Sequence, residues 1–368
     1  MRLRRLLATF LAFVLLIWPI SASATLLYSG GEGADFVCNG NGSCSSFTNT
    51  GTFRPGWARS AYEVWATTSD PPTNRFATAA FTASPSLWVH AQYCNAYNGC
   101  TTNATTTDNQ TLRLLDSSGN PALIVRGTGV TGSLKISTRT AAGTFHDLVT
   151  CPSAVNVVLT QLDVFVNYST SGEVALYSNS VKVCDFTGDV TNGDGATALS
   201  QVEFAGALTS SGYYGAWSEV IVATTDTRAM ARFTANVVAN GNAVGFSGTN
   251  VCSAIWAPVN VVDTSYGYAG STNVLHECTI NSAIPPGIYN VLALTMNART
   301  LVGSTGPQHF DFVTRTNGTD YPSADFAPLN SFSNIGNYIQ TVNPATSAPW
   351  TLSDFQAAGF NVGEETKP

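Results

Sequence analysis

Residues 86–93 read SLWVHAQY, and residues 157–168 read VVLTQLDVFVNY. In both stretches apolar side chains recur at every second position, and successive side chains of a strand point to opposite faces of a sheet. Each stretch is therefore predicted to be a β-strand with one face in a hydrophobic core. The opposite face carries Trp88, His90 and Gln92 in the first strand, and Gln161, Asp163, Phe165 and Asn167 in the second.

Seven further stretches alternate in the same way, separated by turn-forming Gly, Asn and Ser residues. They are Thr111–Asp116, Ala122–Arg126, Ser133–Arg139, Glu173–Tyr177, Val181–Phe186, Ser200–Phe204 and Trp217–Ala223. Many short strands at this spacing are typical of a sandwich or jelly roll. No stretch of a dozen residues after residue 24 shows helical apolar spacing. The sequence predicts an all-β protein.

The alternating pattern breaks around Thr224–Arg232, where we place a domain boundary. We expect a jelly-roll domain over residues 25–225 and a smaller β-sandwich domain over residues 226–368. The second domain is predicted to contain strands at Ile288–Asn297, Gln308–Thr314 and Tyr338–Val342, a short helix within Leu352–Ala358 capped by Ser353, and a last edge strand at Phe360–Val362.

Residues 1–24 have the three parts of a cleavable secretory signal. A basic head (MRLRR) precedes the uncharged apolar run Leu6–Trp18, and Ala22-Ser23-Ala24 provides a cleavage site. The apolar run is shorter than the roughly 20 residues of a membrane span, so we expect no stable span. An uncleaved anchor is the alternative. In either case we expect a secreted protein or one on a periplasmic or extracellular surface.

The charge of the chain argues against a nucleic-acid partner. Charged residues make up only 11% of the 368 residues, and Lys135, Lys182 and Lys367 are the only lysines. Without the predicted signal, 13 basic residues face 23 acidic ones, a net charge of −10 with histidine neutral. Such a surface does not attract a polyphosphate backbone.

All eight cysteines follow the predicted signal, and an even number in an exported chain indicates disulfides. Sequence order favours the simplest pairing as a hypothesis: Cys38–Cys44, Cys94–Cys100, Cys151–Cys184 and Cys252–Cys278. Zinc is the weaker alternative, because the chain has no C-x-x-C or paired-histidine spacing.

The strand order resembles that of concanavalin A-like (laminin G-like) lectin and glucanase jelly rolls. The stretches that carry the resemblance are SLWVHAQY, residues 111–129 (TLRLLDSSGNPALIVRGTG), residues 132–149, residues 161–186 and residues 217–228 (WSEVIVATTDTR). They cover about half of the chain. The second domain, with residues 343–363 (NPATSAPWTLSDFQAAGFNVG), resembles domains of phage and prophage virion-surface proteins. These resemblances imply a sandwich fold with either a carbohydrate site or a role in virion assembly.

No catalytic residue is predicted. Glycoside hydrolases need two carboxylates across the scissile bond, and the E-x-D-x-E strand of the glucanase branch is missing. Glu203 and Glu219 stand on separate predicted strands, and no G-x-S-x-G motif accompanies the four histidines.

If the first two strands and Ser200–Phe204 are neighbours, their polar faces form one surface of aromatic rings, a carboxylate and amides. Such a surface suits a sugar, which stacks on aromatic rings and hydrogen-bonds through its hydroxyls. The candidate ligand-binding residues are Trp88, His90, Gln92, Asp163, Asn167 and Glu203. An ordinary solvated sheet face is the alternative.

A weaker candidate is a calcium site in residues 185–194 (DFTGDVTNGD), where Asp189, Asn192 and Asp194 offer oxygen ligands. The spacing departs from the known D-x-[DN]-x-[DN]-G loop, and a polar turn is the alternative interpretation.

The sequence thus favours an exported, non-catalytic protein that recognises a glycan or another cell-surface ligand. A structural virion protein that contacts other virion proteins is the second hypothesis, and a polysaccharide-acting hydrolase is the third. The oligomeric state is not predicted.

Overall fold

The computed structural model describes residues 25–31, 35–39, 44–48, 60–65, 75–95, 110–155, 159–205, 214–248, 251–256, 267–281, 289–331 and 333–368. The predicted signal over residues 1–24 lies outside these ranges. Nearly all regular structure within them is antiparallel β-sheet, so the all-β prediction is confirmed. Strands and helices are numbered in chain order.

Two sheets are formed by the strands between residues 26 and 223. The first has the order β13-β12-β11-β6-β15-β4-β3, with β1 also paired to β15. Its strands are β1 (Leu26–Gly30), β3 (Cys44–Thr48), β4 (Ser60–Trp65), β6 (Ser86–Asn95), β11 (Thr160–Asn167), β12 (Gly172–Ser178), β13 (Val181–Gly188) and β15 (Tyr214–Ala223).

The second sheet has the order β10-β9-β8-β7-β14-β5-β2. Its strands are β2 (Val37–Asn39), β5 (Arg75–Ala77), β7 (Gln110–Asp116), β8 (Pro121–Gly127), β9 (Leu134–Arg139), β10 (Phe145–Cys151) and β14 (Leu199–Ala205). Each of the nine predicted strands of this half matches one of these elements, with ends shifted by a few residues. Strands β1, β2, β3, β4, β5 and β10 were not predicted.

The two sheets pack face to face around one hydrophobic core. The alternation read from the sequence places the expected side chains inside: Leu87, Val89, Ala91 and Tyr93 from β6, Leu162, Val164 and Val166 from β11, and Val202 and Phe204 from β14. Each fully buried aliphatic side chain contributes about 1.5–3 kcal/mol relative to an exposed one. The side chains at the alternate positions of β6 and β11 consequently point away from this core.

A disulfide connects the outer strands of these sheets. Cys151 at the end of β10 is bonded to Cys184 in β13, and each of these strands is the last in its sheet. This pairing and Cys252–Cys278 are confirmed. The other two predicted pairings involve side chains outside the described part of the chain.

The strands between residues 236 and 367 form two further sheets. One has the order β16-β17-β22-β19-β20, and the other pairs β18 with β21. The strands are β16 (Asn236–Val244), β17 (Leu275–Asn281), β18 (Leu294–Thr300), β19 (His309–Thr316), β20 (Thr319–Pro322), β21 (Ser333–Gln340) and β22 (Asn361–Lys367); the helices are α1 (Val251–Trp256) and α2 (Leu352–Gln356). Met296, Phe310 and Phe312 form the centre of the core between these sheets.

Three local predictions for this half are corrected. Strand β18 begins at Leu294, since residues 289–293 before it are not in a strand; the predicted start at Ile288 lies outside the described residues. Helix α2 is capped by Thr351 and not by Ser353, because the Thr351 backbone N–H and the side chain of Asp354 form a capping box. Strand β22 is seven residues long and lies between β17 and β19, so it is a central strand and not an edge strand.

The edge of β1 is closed by asparagine side chains from the second half. Nδ2 of Asn337 donates to the carbonyl oxygen of Leu27 at 3.1 Å, and Oδ1 of Asn337 accepts from the backbone N–H of Ser29 at 3.1 Å. Nδ2 of Asn297 donates to the carbonyl oxygen of Ser29 at 3.3 Å. These amides satisfy backbone groups that an open strand edge would leave unpaired.

None of the helices in the described part of the chain is long and apolar enough to span a membrane.

Candidate functional site

The two strands that carry the predicted surface are neighbours. Strand β11 pairs with β6 so that Trp88 lies opposite Phe165, His90 opposite Asp163, and Gln92 opposite Gln161. Directly opposed residues of an antiparallel pair share a face. The sheet therefore brings Trp88, His90, Gln92 and Asp163 together on the face directed away from the core, and Asn167 lies on the same face opposite Ser86.

Glu203 does not belong to this face. Strand β14 lies in the second sheet, where Glu203 is buried and its carboxylate contacts Arg75 at 2.9 Å and Arg113 at 3.3 Å. The expectation that the polar face of Ser200–Phe204 merges with that of β6 is therefore wrong. Glu203 has an ion-pairing role between β5, β7 and β14.

The middle of the outer face is covered by the crossing segment, which we define as residues 224–232. Oγ1 of Thr227 donates to Oδ1 of Asp163 at 2.8 Å, and Nε2 of Gln161 donates to the carbonyl oxygen of Arg228 at 2.9 Å. The same Gln161 nitrogen lies 2.8 Å from Oδ2 of Asp163. The segment that was predicted to be a domain boundary thus lies on the sheet.

His90 and Asp163 are enclosed beneath this segment. Both side chains are fully buried, and Nδ1 of His90 lies 2.8 Å from Oδ1 of Asp163. Gln92 is also buried, with 3% of its surface exposed. A ligand cannot reach these three predicted binding residues without displacing what covers them, so their contacts in the structure are structural.

Next to the covered region, three aromatic rings form a continuous surface that remains partly exposed. The Trp88 ring lies 5.0 Å from the ring of Phe165 and 5.4 Å from the ring of Tyr177, measured between centroids. Tyr177 on β12 is placed there because it lies opposite Asp163 in the register of β11 and β12. We call these three residues the aromatic platform.

Arg228 of the crossing segment lies over the platform. Its Cζ is 4.5 Å from the Tyr177 centroid and 5.4 Å from the Trp88 centroid, a cation–π arrangement. Its backbone carbonyl is held by Gln161 and, at 3.2 Å, by Oγ of Ser180. The backbone of the segment is therefore fixed at this point, while 36% of the Arg228 side chain remains exposed.

Asp226 neutralises the charge of Arg228. Nε of Arg228 is 3.0 Å from both carboxylate oxygens of Asp226, and Nη2 is 2.5 Å from Oδ2. These hydrogen bonds lower the pKa of Asp226 and raise the pKa of Arg228 from their ordinary values. The charge above the platform is thus that of an ion pair.

Polar side chains border the platform on the side away from the crossing segment. Asn167 on β11 lies opposite Glu173 on β12, and Glu173 lies opposite Thr187 on β13. All three are at least partly exposed. The border therefore offers an amide, a carboxylate and a hydroxyl to a ligand that contacts the rings.

The loop proposed as a calcium site is organised by its own hydrogen bonds. Oδ1 of Asp189 accepts from the backbone N–H and hydroxyl of Thr191 and from the backbone N–H of Asn192, at 2.8–3.0 Å. The hydrogen bonds from Thr191 and Asn192 lower the pKa of Asp189.

Asp194 in the same loop accepts from the Tyr168 hydroxyl at 2.6 Å and from the backbone N–H of Ala196 at 2.9 Å. Arg139 also lies 3.3 Å from its Oδ2. Asp189 and Asp194 therefore accept hydrogen bonds from the protein, an arrangement that corresponds to the polar-turn alternative.

In the described part of the chain, one other group has the composition of a metal site: Cys252, His276 and Cys278, whose ligand atoms lie within 4.8 Å of one another. The two cysteines are joined in a disulfide. The backbone N–H of Phe246 donates to Nδ1 of His276 at 3.3 Å, which places the imidazole proton on Nε2, 3.3 Å from Sγ of Cys252. This arrangement opposes metal binding, because both sulfurs and both ring nitrogens have other partners.

Alternation in single strands placed Phe165 on the correct face but did not reveal Tyr177 or Arg228. Tyr177 depends on the register of β12, and Arg228 depends on the path of a segment more than 60 residues from Phe165 in sequence. The sequence signal that could have indicated the platform is one aromatic residue on the outer face of each strand: Trp88 in β6, Phe165 in β11 and Tyr177 in β12.

No protein-family model matches this chain, and no curated protein sequence matches it. Three solved structures show distant similarity. An endo-β-1,4-glucuronan lyase from the fungus Trichoderma reesei is 12% identical, with 54% of this chain and 94% of the lyase covered and a TM-score of 0.37. A cellulose-induced protein is 12% identical, with coverages of 53% and 94% and a TM-score of 0.39.

The third is domain 4 of an extracellular arabinanase from Geobacillus stearothermophilus, in complex with arabinotriose. It is 13% identical, with coverages of 58% and 95% and a TM-score of 0.36. Matches this distant do not identify a ligand for this chain.

Proposed function

We propose that this chain is an exported, non-catalytic protein that binds carbohydrate at the aromatic platform. The observation that carries the proposal is the contact of three partly exposed rings, Trp88, Phe165 and Tyr177, on one sheet face. Large aromatic side chains that stay exposed side by side mark an interaction surface more often than isolated ones.

The chemistry of the platform matches that of a sugar ring. A pyranose or furanose has an apolar face of C–H groups that packs on an aromatic ring, while its hydroxyls both donate and accept hydrogen bonds. Asn167 and Glu173 stand beside the rings and offer these complementary partners. A few polar groups around an apolar surface are the usual composition of a ligand site.

The sheet supports the rings rigidly. Trp88, Phe165 and Tyr177 lie on three paired strands, β6, β11 and β12, whose other faces are buried in the core. A site on sheet strands loses little conformational freedom when it binds, which favours affinity.

The surroundings of the acidic residues support binding without hydrolysis. Hydrolysis needs one carboxyl group as acid and another as nucleophile or base, both reaching the scissile bond. Asp163 is buried beneath the crossing segment, and Glu203 lies in the other sheet with two arginines. The disulfides Cys151–Cys184 and Cys252–Cys278 fit an oxidising compartment outside the cytosol.

The test uses the full chain, produced in an oxidising compartment, on a glycan array followed by calorimetry with the best ligands. Trp88→Leu and Tyr177→Leu retain apolar bulk but remove the rings. Each is expected to weaken binding by about tenfold or more, as for an anchor residue at the centre of an interface. Tyr268→Leu is the matched control, because Tyr268 is an exposed aromatic residue in the second half of the chain.

If the Trp88→Leu protein folds and binds its glycan with unchanged affinity, the platform is not the binding site. Release of reducing sugars from a bound polysaccharide would replace the binding function with an enzymatic one.

A further inference from the structure

Among the described residues, Arg228 is the cation that contacts the platform rings, and its charge is already paired with that of Asp226. Nε and Nη2 both face the carboxylate of Asp226 at 2.5–3.0 Å, and Oδ1 of Asp226 also accepts from the backbone N–H of Arg228 at 3.0 Å. A carboxylate held by its own neighbour in this way keeps its place in the absence of a ligand.

The next cation along the same face is neutralised too. Lys182 on β13 lies opposite Tyr177 on β12, and its Nζ is 3.4 Å from Oδ2 of Asp185. Glu173, at the border of the platform, adds a negative charge. The net charge of the side chains around the rings is therefore slightly negative.

This balance disfavours an acidic ligand. A uronate or sulfated sugar stacked on Trp88 would bring its anion beside Asp226 and Glu173, and the cation that could receive it is engaged. A neutral sugar meets no such repulsion, and Nη1 of Arg228, which has no acceptor among the described residues, is free to donate to a hydroxyl.

We propose that the platform selects uncharged saccharides over acidic ones, and that Asp226 sets this selectivity by neutralising Arg228. The inference rests on the proposed carbohydrate-binding function and assigns that function a ligand class and a specificity-determining residue.

The experiment compares neutral polysaccharides (β-glucan, xylan and arabinan) with polyuronates (alginate and polygalacturonate), using the full chain at low and at 0.5 M salt. The wild-type protein is expected to bind at least one neutral polymer and to bind the polyuronates roughly tenfold more weakly. Asp226→Asn, which keeps the shape of the side chain and frees the guanidinium charge, is expected to strengthen polyuronate binding roughly five- to tenfold at low salt. This gain should shrink at high salt, since exposed charges are screened.

Two further variants locate the effect. In Asp226→Asn/Arg228→Gln the freed cation is absent, so the gain for polyuronates should disappear. Asp147→Asn is the matched control, because Asp147 and Asp226 are similarly exposed, at 53% and 45%, and Asp147 pairs with Lys135 in the second sheet, away from the platform. It should leave the selectivity unchanged.

The outcomes separate this inference from the proposed function. If the wild-type protein binds polyuronates as well as neutral polymers, or if Asp226→Asn leaves the selectivity unchanged while Trp88→Leu abolishes binding, the inference is overturned and the carbohydrate-binding function stands. If neither the wild-type protein nor folded Asp226→Asn binds any polymer, the proposed function itself is overturned.

Discussion

Nδ1 of His90 and Oδ1 of Asp163 lie 2.8 Å apart, and neither side chain has any exposed surface. The pair sits on the sheet face opposite the main core, beneath the crossing segment, and Thr227 donates a further hydrogen bond to the same carboxylate. A buried carboxylate is tolerated only with such partners, because its desolvation costs several kcal/mol. The pair therefore anchors residues 224–232 to β6 and β11.

We expect Asp163→Ala to destabilise the fold by about 3 kcal/mol, because it leaves the buried hydrogen-bonding groups of His90 and Thr227 without their acceptor and removes one acceptor of Gln161. Thr227→Val should cost about 1 kcal/mol, since it removes one of those hydrogen bonds. Urea unfolding measures both. The control is Asp185→Ala at an exposed ion pair, which should cost less than about 1 kcal/mol. Equal losses for Asp163→Ala and Asp185→Ala would contradict the anchoring role.

The Cys151–Cys184 disulfide is expected to hold the outer strands of the two sheets together. The residues are 33 positions apart, and the chain-entropy model gives about 3–4 kcal/mol for a loop of that length. The double variant Cys151→Ala/Cys184→Ala should therefore lose a comparable amount of unfolding free energy. Hydrogen exchange should accelerate first in β10 and β13, which are edge strands. Uniform acceleration across β6 and β11 as well would show that the bond does not act locally.

The two described disulfides should differ in their resistance to reduction. Nε2 of His276 faces Sγ of Cys252 at 3.3 Å, and a ring N–H at that position stabilises the thiolate that leaves when Cys252–Cys278 is reduced. We expect Cys252–Cys278 to be reduced at a thiol concentration roughly three- to tenfold lower than Cys151–Cys184, measured by differential alkylation and peptide mass spectrometry.

His276→Phe keeps an aromatic ring beside Phe246 but removes the donor. This variant should raise the thiol concentration needed to reduce Cys252–Cys278. The concentration needed to reduce Cys151–Cys184, the internal control, should stay unchanged. A parallel shift of both disulfides would point to a general change in stability and would argue against the role of the imidazole.

Much of the architecture could be predicted from period-two alternation, because that pattern reports which side of a strand enters a core. It placed Leu87, Val89 and Ala91 inside and Trp88 and Phe165 outside. Alternation in one strand does not report which sheet the strand joins, and for that reason Glu203 was assigned to the wrong surface.

Alternation also does not report whether an outer face is covered by a segment distant in sequence. His90 and Asp163 were predicted to be accessible ligand-binding residues because Thr227, which closes over them, lies 64 residues beyond Asp163 in the sequence. Phe360–Val362 was predicted as a last edge strand, and the strand that forms there, β22, continues through Glu364 and Glu365 to Lys367. In the structure these glutamates lie in a central strand, where Lys367 pairs with Glu365 at 2.7 Å.

The last prediction concerns Glu364 of this central strand. It lies opposite His276 on β17 and Phe312 on β19, and burial raises its pKa from 4.5 to about 7. A carboxyl group whose pKa is higher in the folded than in the unfolded state binds its proton more tightly when folded. Its stabilising contribution is present below pH 4.5 and is lost as the pH rises from 4.5 through about 7.

Glu364→Gln, which resembles the protonated form at every pH, should therefore be more stable than the wild-type protein at pH 7.5 and should show a shallower decline between pH 4.5 and 7. Urea unfolding at four pH values across this window measures the difference. The variant should keep some dependence of stability on pH, because burial also raises the pKa of Glu277 and Asp311. Burial lowers the pKa of His276, so His276 changes the stability with pH in the opposite direction. Parallel curves for the two proteins over the whole window would show that Glu364 does not take up a proton on folding.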